Sequence, residues 1–287
     1  MREGPPDRPR LAVALMAAAM FTYPIADAAT KYLGADHSAV GVTWARLTVC
    51  ALAMIPLALV ATRGRLMFDS RLVIEQTVRA VLVVAATLLF VVAITLVPLA
   101  NALGAYLVGP IVACALAVRV LGEPWAHRRT VAAALGFAGA LAIVRPGMSV
   151  GPGGLCALGA GLCYGGFLVA NRACRRRVHP FAAVAFQMSF GALVLTPFAW
   201  REAGALLDED GWVLLLIGLP SAAANVLVVS AAGMAPAGLL APLVYLEIVG
   251  ATALGYLVFG DLPGAVAACG IALVGLSGWL VARAPVP

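Results

Sequence analysis

The sequence predicts an all-α integral membrane protein of ten transmembrane helices arranged as two inverted five-helix repeats. Three observations predict it. First, 63% of the residues are hydrophobic and only 11% are charged, where a soluble domain would carry roughly a quarter charged residues. A packed soluble core cannot absorb that much apolar surface, so lipid must cover much of it. Second, stretches near the length of about 20 apolar residues that spans a bilayer as a helix recur along the whole chain. Third, the second half repeats features of the first at a nearly constant offset.

Taken in order, the apolar stretches of the first half run near 11–31, 39–61, 77–97, 99–121 and 129–146. The stretch at 11–31 is too long for the apolar region of a signal peptide and, with nine similar stretches behind it, reads as an anchor. The connector RPGMSVGPGG at 145–154 is the only glycine- and proline-rich join, and it divides the chain into repeats over 1–147 and 148–287. Beyond it the stretches run near 153–172, 180–200, 212–233, 236–259 and 264–282, and no loop is long enough for a soluble domain. Pro24, Pro56, Pro110, Pro197, Pro220 and Pro242 fall within these expected helices. Each removes a backbone hydrogen bond, which marks a kink and a hinge candidate. Ala157, Gly161 and Gly165 form a stripe of small residues suited to close helix packing.

Sliding the halves over each other gives an ordered set of matches. At a shift of 141, Tyr23 meets Tyr164, Lys31 meets Arg172, Arg46 meets Gln187 and Pro56 meets Pro197. Past the third stretch the shift is 138, where Thr87 meets Asn225, Pro98 meets Pro236, Gly122 meets Gly260 and Glu123 meets Asp261. Five helices per half is an odd number, so the second half is inverted in the membrane. Inverted repeats supply two arrangements of similar energy, which is what alternating access needs.

With a cytoplasmic N-terminus, 15 of the 19 Lys and Arg residues fall on cytoplasmic segments: Arg2, Arg8, Arg10, Arg63, Arg65, Arg71, Arg79, Arg119, Arg128, Arg129, Arg172, Arg175, Arg176, Arg177 and Arg283. Lys31, Arg145 and Arg201 fall outside, and Arg46 lies within the second helix. This asymmetry puts both termini in the cytoplasm, as expected of a multi-pass protein of the bacterial inner membrane. The net charge of +6 therefore reports topology. A nucleic-acid partner is not expected, because no basic surface interleaved with aromatics appears.

Other functional classes lack their chemistry. His37, His127 and His179 lie in separate loops, and no nucleophile–base pair appears, so neither an enzyme nor catalytic residues are expected. The six cysteines show no C-x-x-C pair and no histidine-spaced cluster, so no metal, cofactor or disulfide is expected. GPGG at 151–154 is not followed by the G-K-[ST] of a phosphate loop. Neither a charged ring nor a filter loop suggests a channel. Without a nucleotide motif, transport has to be secondary.

Ionisable groups inside a bilayer are expensive and mark a cavity or a partner. Glu247, near the middle of the ninth stretch, is either a ligand for a substrate ammonium, a proton-coupling group, or a carboxyl satisfied between helices. Asp27 and Lys31 are spaced to pair along one helix face, while Arg46 can pair with Asp27 across helices or take a substrate carboxylate. Tyr23, Tyr106, Tyr164 and Tyr245 on four different helices would wall a cavity for a zwitterion with an apolar or aromatic side chain. Interfacial anchoring is the alternative for them, as it is for Trp44, Trp200 and Trp279. Asn101 completes the expected substrate-binding set, and with Thr87, Asn171, Gln187 and Asn225 it is equally suited to hydrogen bonds between helices. Glu123 in LGEPW and Asp261 in FGDLP stand at helix boundaries, where capping or pairing between loops is expected.

Residues from about 11 to 283 resemble the drug/metabolite transporter superfamily in its ten-helix EamA-type branch. The resemblance rests on DAATKYL closing the first helix, WARLTV in the second, and VPLANALGAYLVGPIVACALAVRVLGEPWAHRRTVAAALGFAGALAIVRPG over the fourth and fifth. APLVYLEIVGATALGYLVFGDLP gives a weaker echo in the second half. It implies a bundle of two inverted repeats around a central cavity. Within that group the chain is most similar to bacterial amino-acid exporters, including the aromatic amino-acid (YddG-type) exporters. The resemblance implies a small-molecule substrate, with an amino acid first and a vitamin, nucleoside or S-adenosylmethionine-like metabolite as the alternative. Lipid would be the other partner, and a monomer suffices.

Overall fold

The computed structural model describes residues 8–64, 70–97, 99–123, 127–144, 151–174, 178–209, 211–259 and 265–282. The described residues are helical throughout, with no strand. In chain order the helices are α1 (Pro9–Leu33), α2 (Ala39–Ala61), α3 (Ser70–Leu96), α4 (Leu99–Tyr106), α5 (Gly109–Leu121) and α6 (His127–Val144). Beyond the connector come α7 (Pro152–Ala173), α8 (Pro180–Ala199), the short α9 (Ala203–Glu209), α10 (Gly211–Met234) and α11 (Ala237–Leu240). A 3₁₀ segment (Ala241–Tyr245) leads into α12 (Leu246–Phe259), and α13 (Ala265–Ala282) follows. Seven helical segments are long and apolar enough to cross a membrane, one of them continuous from Ala237 to Leu254, and three shorter apolar helices complete ten spans. Large apolar side chains such as Leu52, Val60, Leu193 and Phe198 are exposed on the outside of the bundle, which is where lipid takes the place of a core.

Local chemistry sets the ends. Pro stands in the first turn of α1, α5, α7 and α8, where its missing N–H costs no helical bond. Ser38 caps α2, its Oγ accepting from the Gly41 N–H at 3.0 Å. Gly122 closes α5 in the left-handed region, with φ of 64°, a conformation glycine adopts without a Cβ penalty.

The packing has the pattern of an inverted repeat. α1 packs on α10, and its counterpart α7 packs on α3, the counterpart of α10. α2 packs on its own counterpart α8, and α6 on its counterpart α13. The halves therefore interleave about a pseudo-two-fold axis in the membrane plane.

Two expectations change. The fourth stretch, expected as one helix over 99–121, is broken at Leu107 and Val108 into α4 and α5. The ninth, expected as one helix over 236–259, is broken by the 3₁₀ segment. Pro110 accordingly starts α5 and Pro242 sits in the 3₁₀ segment, while Pro24, Pro56, Pro197 and Pro220 lie inside helices as expected. The small-residue stripe of α7 fits the first break. A Cβ on Gly109 would stand 2.7 Å from the Gly161 carbonyl oxygen, and one on Gly165 would stand 2.6 Å from that of Gly109. Backbone lies on backbone here, so these positions exclude any side chain.

Candidate functional site

The break in the ninth span decides where Glu247 sits. It is not in the middle of a continuous helix but in the first turn of α12. The helix dipole and unpaired amide groups there favour a carboxylate. Proline at 242 cannot donate to the preceding turn, which supports the 3₁₀ segment that creates this terminus. Gly250, one turn along α12, lets α1 approach. Its Cβ would stand 3.2 Å from the Met20 carbonyl oxygen, the acceptor that Pro24 leaves without its helical partner.

That approach brings Asp27 of α1 beside Glu247, and the two carboxyl groups interact across the gap. Arg46 of α2 completes the group. Its Nη1 donates to Asp27 Oδ1 at 2.9 Å and lies 3.4 Å from Thr30 Oγ1. Thr30 in turn donates to the Ala26 carbonyl at 2.7 Å. Of the two partners open to Asp27 in the sequence, the structure selects Arg46 over Lys31. Glu247 has no basic partner within salt-bridge distance among the described residues.

These three charges line a central cavity of about 50 Å³ together with Tyr23, Tyr106 and Tyr164. Phe90 also lines it, with ring centroids 5.1 Å from Tyr106, and Tyr106 lies 5.5 Å from Tyr164. The repeat-related pairs Tyr23 and Tyr164, and Thr87 and Asn225, reach this one cavity from opposite halves, so the cavity lies on the repeat axis. Both members of the second pair bond their own helix four residues back. Thr87 Oγ1 donates to the Val83 carbonyl at 2.8 Å, and Asn225 Nδ2 donates to the Ser221 carbonyl at 2.9 Å. The Asn225 bond turns its Oδ1 away from the helix, and that atom, Ser221 Oγ and the Tyr164 hydroxyl are buried without a hydrogen-bond partner. Buried polar atoms are nearly always satisfied, so three such orphans in one lining mark a place where a ligand or water completes the set.

Beside the central cavity lies a vestibule of about 520 Å³ between α1, α4 and α12, extending past Lys31 to Ala35 and Asp36 beyond the α1 terminus. This is the size of a small-molecule site, roughly 300–1,000 Å³, whereas about 50 Å³ admits only water. Asp27 and Glu247 are the only described residues that line both spaces. On the opposite side the path is packed shut, with every residue from Ala235 to Tyr245 buried.

Of the residues singled out in the sequence, the structure brings Tyr23, Asp27, Arg46, Tyr106, Tyr164 and Glu247 to one lining. Tyr245 stands elsewhere, its ring against Gly136 and its hydroxyl donating to the Leu107 carbonyl at 3.4 Å. The Asn101 side chain lies outside the described residues. Ser221 and Phe90 join the lining without having been singled out.

The comparison with protein families decides the identity. A single family model, the EamA-like transporter family, matches twice, over residues 10–145 and 151–283. The chain belongs to the EamA-like transporter family. One solved crystal structure shares its fold, with a TM-score of 0.76 at 20% identity, covering 95% of this chain and 97% of that one. No curated protein sequence matches the chain. The protein is therefore a multi-pass membrane transporter of two repeats, and its central cavity lies where those repeats meet.

The EamA repeats are tied at both faces by an acid of one half on a helix start of the other. At one face, Glu123 after α5 accepts from the Ala237 and Gly238 amides of α11 at 2.9 and 3.1 Å, with Arg172 Nε of α7 at 4.0 Å. At the other, Glu202 accepts from the Ser38 amide at 3.1 Å and its hydroxyl at 2.9 Å. Arg79, expected as a topology charge, is instead buried in α3, where it donates to Asn171 Oδ1 of α7 and to Gln76 Oε1.

Proposed function

We propose that this transporter moves small amino-bearing metabolites, amino acids with apolar or aromatic side chains first among them, by alternating access of its two repeats. The observation that carries the reading is the cavity on the repeat axis. It gathers a carboxyl pair, a guanidinium, three tyrosines and orphaned polar atoms at membrane depth. A substrate ammonium would be held at Asp27 and Glu247. Its apolar body would rest on Tyr106, Tyr164 and Phe90, and the orphaned groups would take its remaining polar atoms. With both termini in the cytoplasm of a bacterial inner membrane, the vestibule at Lys31 opens outward and the packed side at Glu123 faces inward. Export is the direction suggested by the resemblance to amino-acid exporters.

The test is uptake of labelled amino acids, vitamins and nucleosides by liposomes containing the purified protein, with and without a proton gradient. Saturable flux of an apolar or aromatic amino acid is expected, and Glu247→Gln should weaken it or remove its pH dependence. Flux of a vitamin or nucleoside but of no amino acid would retain the transporter and discard this substrate class.

A further inference from the structure

We infer that this site reads the ammonium group and leaves a substrate carboxylate unread, so that monocationic amines with an apolar body bind at least as well as amino acids. The inference rests on the transport reading above and narrows it to a charge class.

The charges facing the central cavity decide the matter. Among the described residues its lining holds two acids, Asp27 and Glu247, and one base, Arg46. With both carboxyls ionised the site carries one negative charge in excess. Arg46 is already committed, donating to Asp27 at 2.9 Å and facing Thr30 at 3.4 Å. No basic group therefore remains for a ligand carboxylate. Glu247 has no basic partner, and a buried charge without one is costly. A monocation cancels the excess. A zwitterion brings its own negative charge, which returns the site to the same excess.

The remaining polar groups do not change the sign. Asn225 Oδ1 is an acceptor whose orientation is fixed by the bond from Nδ2 to Ser221. The Ser221 and Tyr164 hydroxyls are neutral and serve either role. Lys31 is the other basic group near the path, but it is exposed in the outer vestibule, whose lining also holds Asp36. A ligand moving inward leaves Lys31 behind at the pair of acids that separates the two spaces. The vestibule wall there is otherwise apolar, formed by Pro24, Ala28, Leu103, Ala251 and Leu254, which suits the body of the amine and offers nothing to a carboxylate.

The experiment is a matched series on the purified full-length protein in detergent, with affinities read by calorimetry. Phenylalanine carries both charged groups, phenethylamine only the ammonium, and 3-phenylpropionate only the carboxylate. Phenethylamine is expected to bind at least as tightly as phenylalanine or within tenfold of it, since a carboxylate held by a charged partner adds roughly tenfold or more. 3-Phenylpropionate is expected not to compete. Glu247→Gln should weaken both ammonium ligands by at least about tenfold. The inference is overturned if phenethylamine binds more than tenfold weaker than phenylalanine, or if 3-phenylpropionate competes. It is also overturned if Lys31→Gln weakens phenylalanine while sparing phenethylamine. Should the Glu247 variant not fold, the ligand series on the unaltered protein decides alone. Binding of none of the three sinks the amino-metabolite reading itself, and this inference with it.

Discussion

Removing the Glu123 carboxylate should release the packed face of the transporter. Glu123→Ala deletes the acceptor for two backbone amides of α11, at 2.9 and 3.1 Å, and the approach to Arg172 at 4.0 Å. Hydrogen bonds to a charged group contribute about 1.5–3 kcal/mol each, less what water returns once the face opens. A net loss of about 2–3 kcal/mol shifts a two-state equilibrium by roughly 30- to 150-fold toward the arrangement open at that face. Cys114 provides the readout, because its Sγ lies 3.9 Å from the Gly238 carbonyl oxygen at the α5–α11 junction. In a protein whose other cysteines (Cys50, Cys156, Cys163, Cys174 and Cys269) are replaced by alanine, a membrane-impermeant maleimide should label Cys114 slowly. Adding Glu123→Ala should raise the labelling rate by an order of magnitude or more, and Glu123→Gln, which keeps one acceptor oxygen, should fall between. Glu202→Ala is the control, since it removes a similar cap at the opposite and more exposed face. Equal rates with and without the Glu123 carboxylate would refute the view that this contact holds the face shut.

The other predictions concern the cavity. Ser221→Ala removes a hydroxyl that has no partner, so unfolding should shift by no more than about 0.5 kcal/mol while substrate affinity falls several-fold. A clear loss of stability would make Ser221 structural. Asp27 and Arg46 have side chains only 14% and 9% exposed. Asp27→Asn and Arg46→Met should therefore each cost about 3–5 kcal/mol, and the double variant should fall short of the sum by at least about 1.5 kcal/mol. Additive losses in denaturant unfolding would show that the pair contributes no coupling.

The repeat and the spans were legible because they are written in one dimension: apolar length, proline and glycine offsets, and the placement of arginines. The site was legible in part for the same reason, since an acid or a base inside a lipid-length stretch stands out wherever it occurs. What the sequence concealed was contact. Arg79 reads as a topology charge, and only the packing of α3 on α7 supplies Asn171 as its partner. Ser221 is one polar residue in an apolar helix, and its exposure to the cavity follows from the way α10 lies on α1. The helix breaks were hidden because apolar composition alone does not distinguish a continuous span from two half-helices, and Leu107 and Val108 carry no breaker of their own. That omission matters most for Glu247, whose position changes from mid-helix to helix start.

The two breaks also explain Tyr245. Its hydroxyl donates to the Leu107 carbonyl, and the two residues are 138 apart in sequence, the offset that relates the repeats in this region. Two equivalent positions of a pseudo-two-fold pair can touch only at the axis. Tyr245 and Leu107 thus mark the point where the repeats turn on one another, with the ring seated in the notch at Gly136 and 6.4 Å from the Phe137 ring. The backbone is broken alike on both sides of that point, yet the first turn of the second half-helix carries glycine at 109 in one repeat and glutamate at 247 in the other. Gly109 admits α7, and Glu247 faces the cavity. Symmetric backbone thereby carries asymmetric chemistry, which yields one binding site and not two. It follows that Tyr245→Phe should leave substrate affinity within about twofold, because the residue does not line the cavity, while costing up to about 1 kcal/mol in stability for a bond as long as 3.4 Å. Calorimetric binding beside detergent unfolding separates the two effects, and a tenfold loss of affinity at unchanged stability would return Tyr245 to the substrate site.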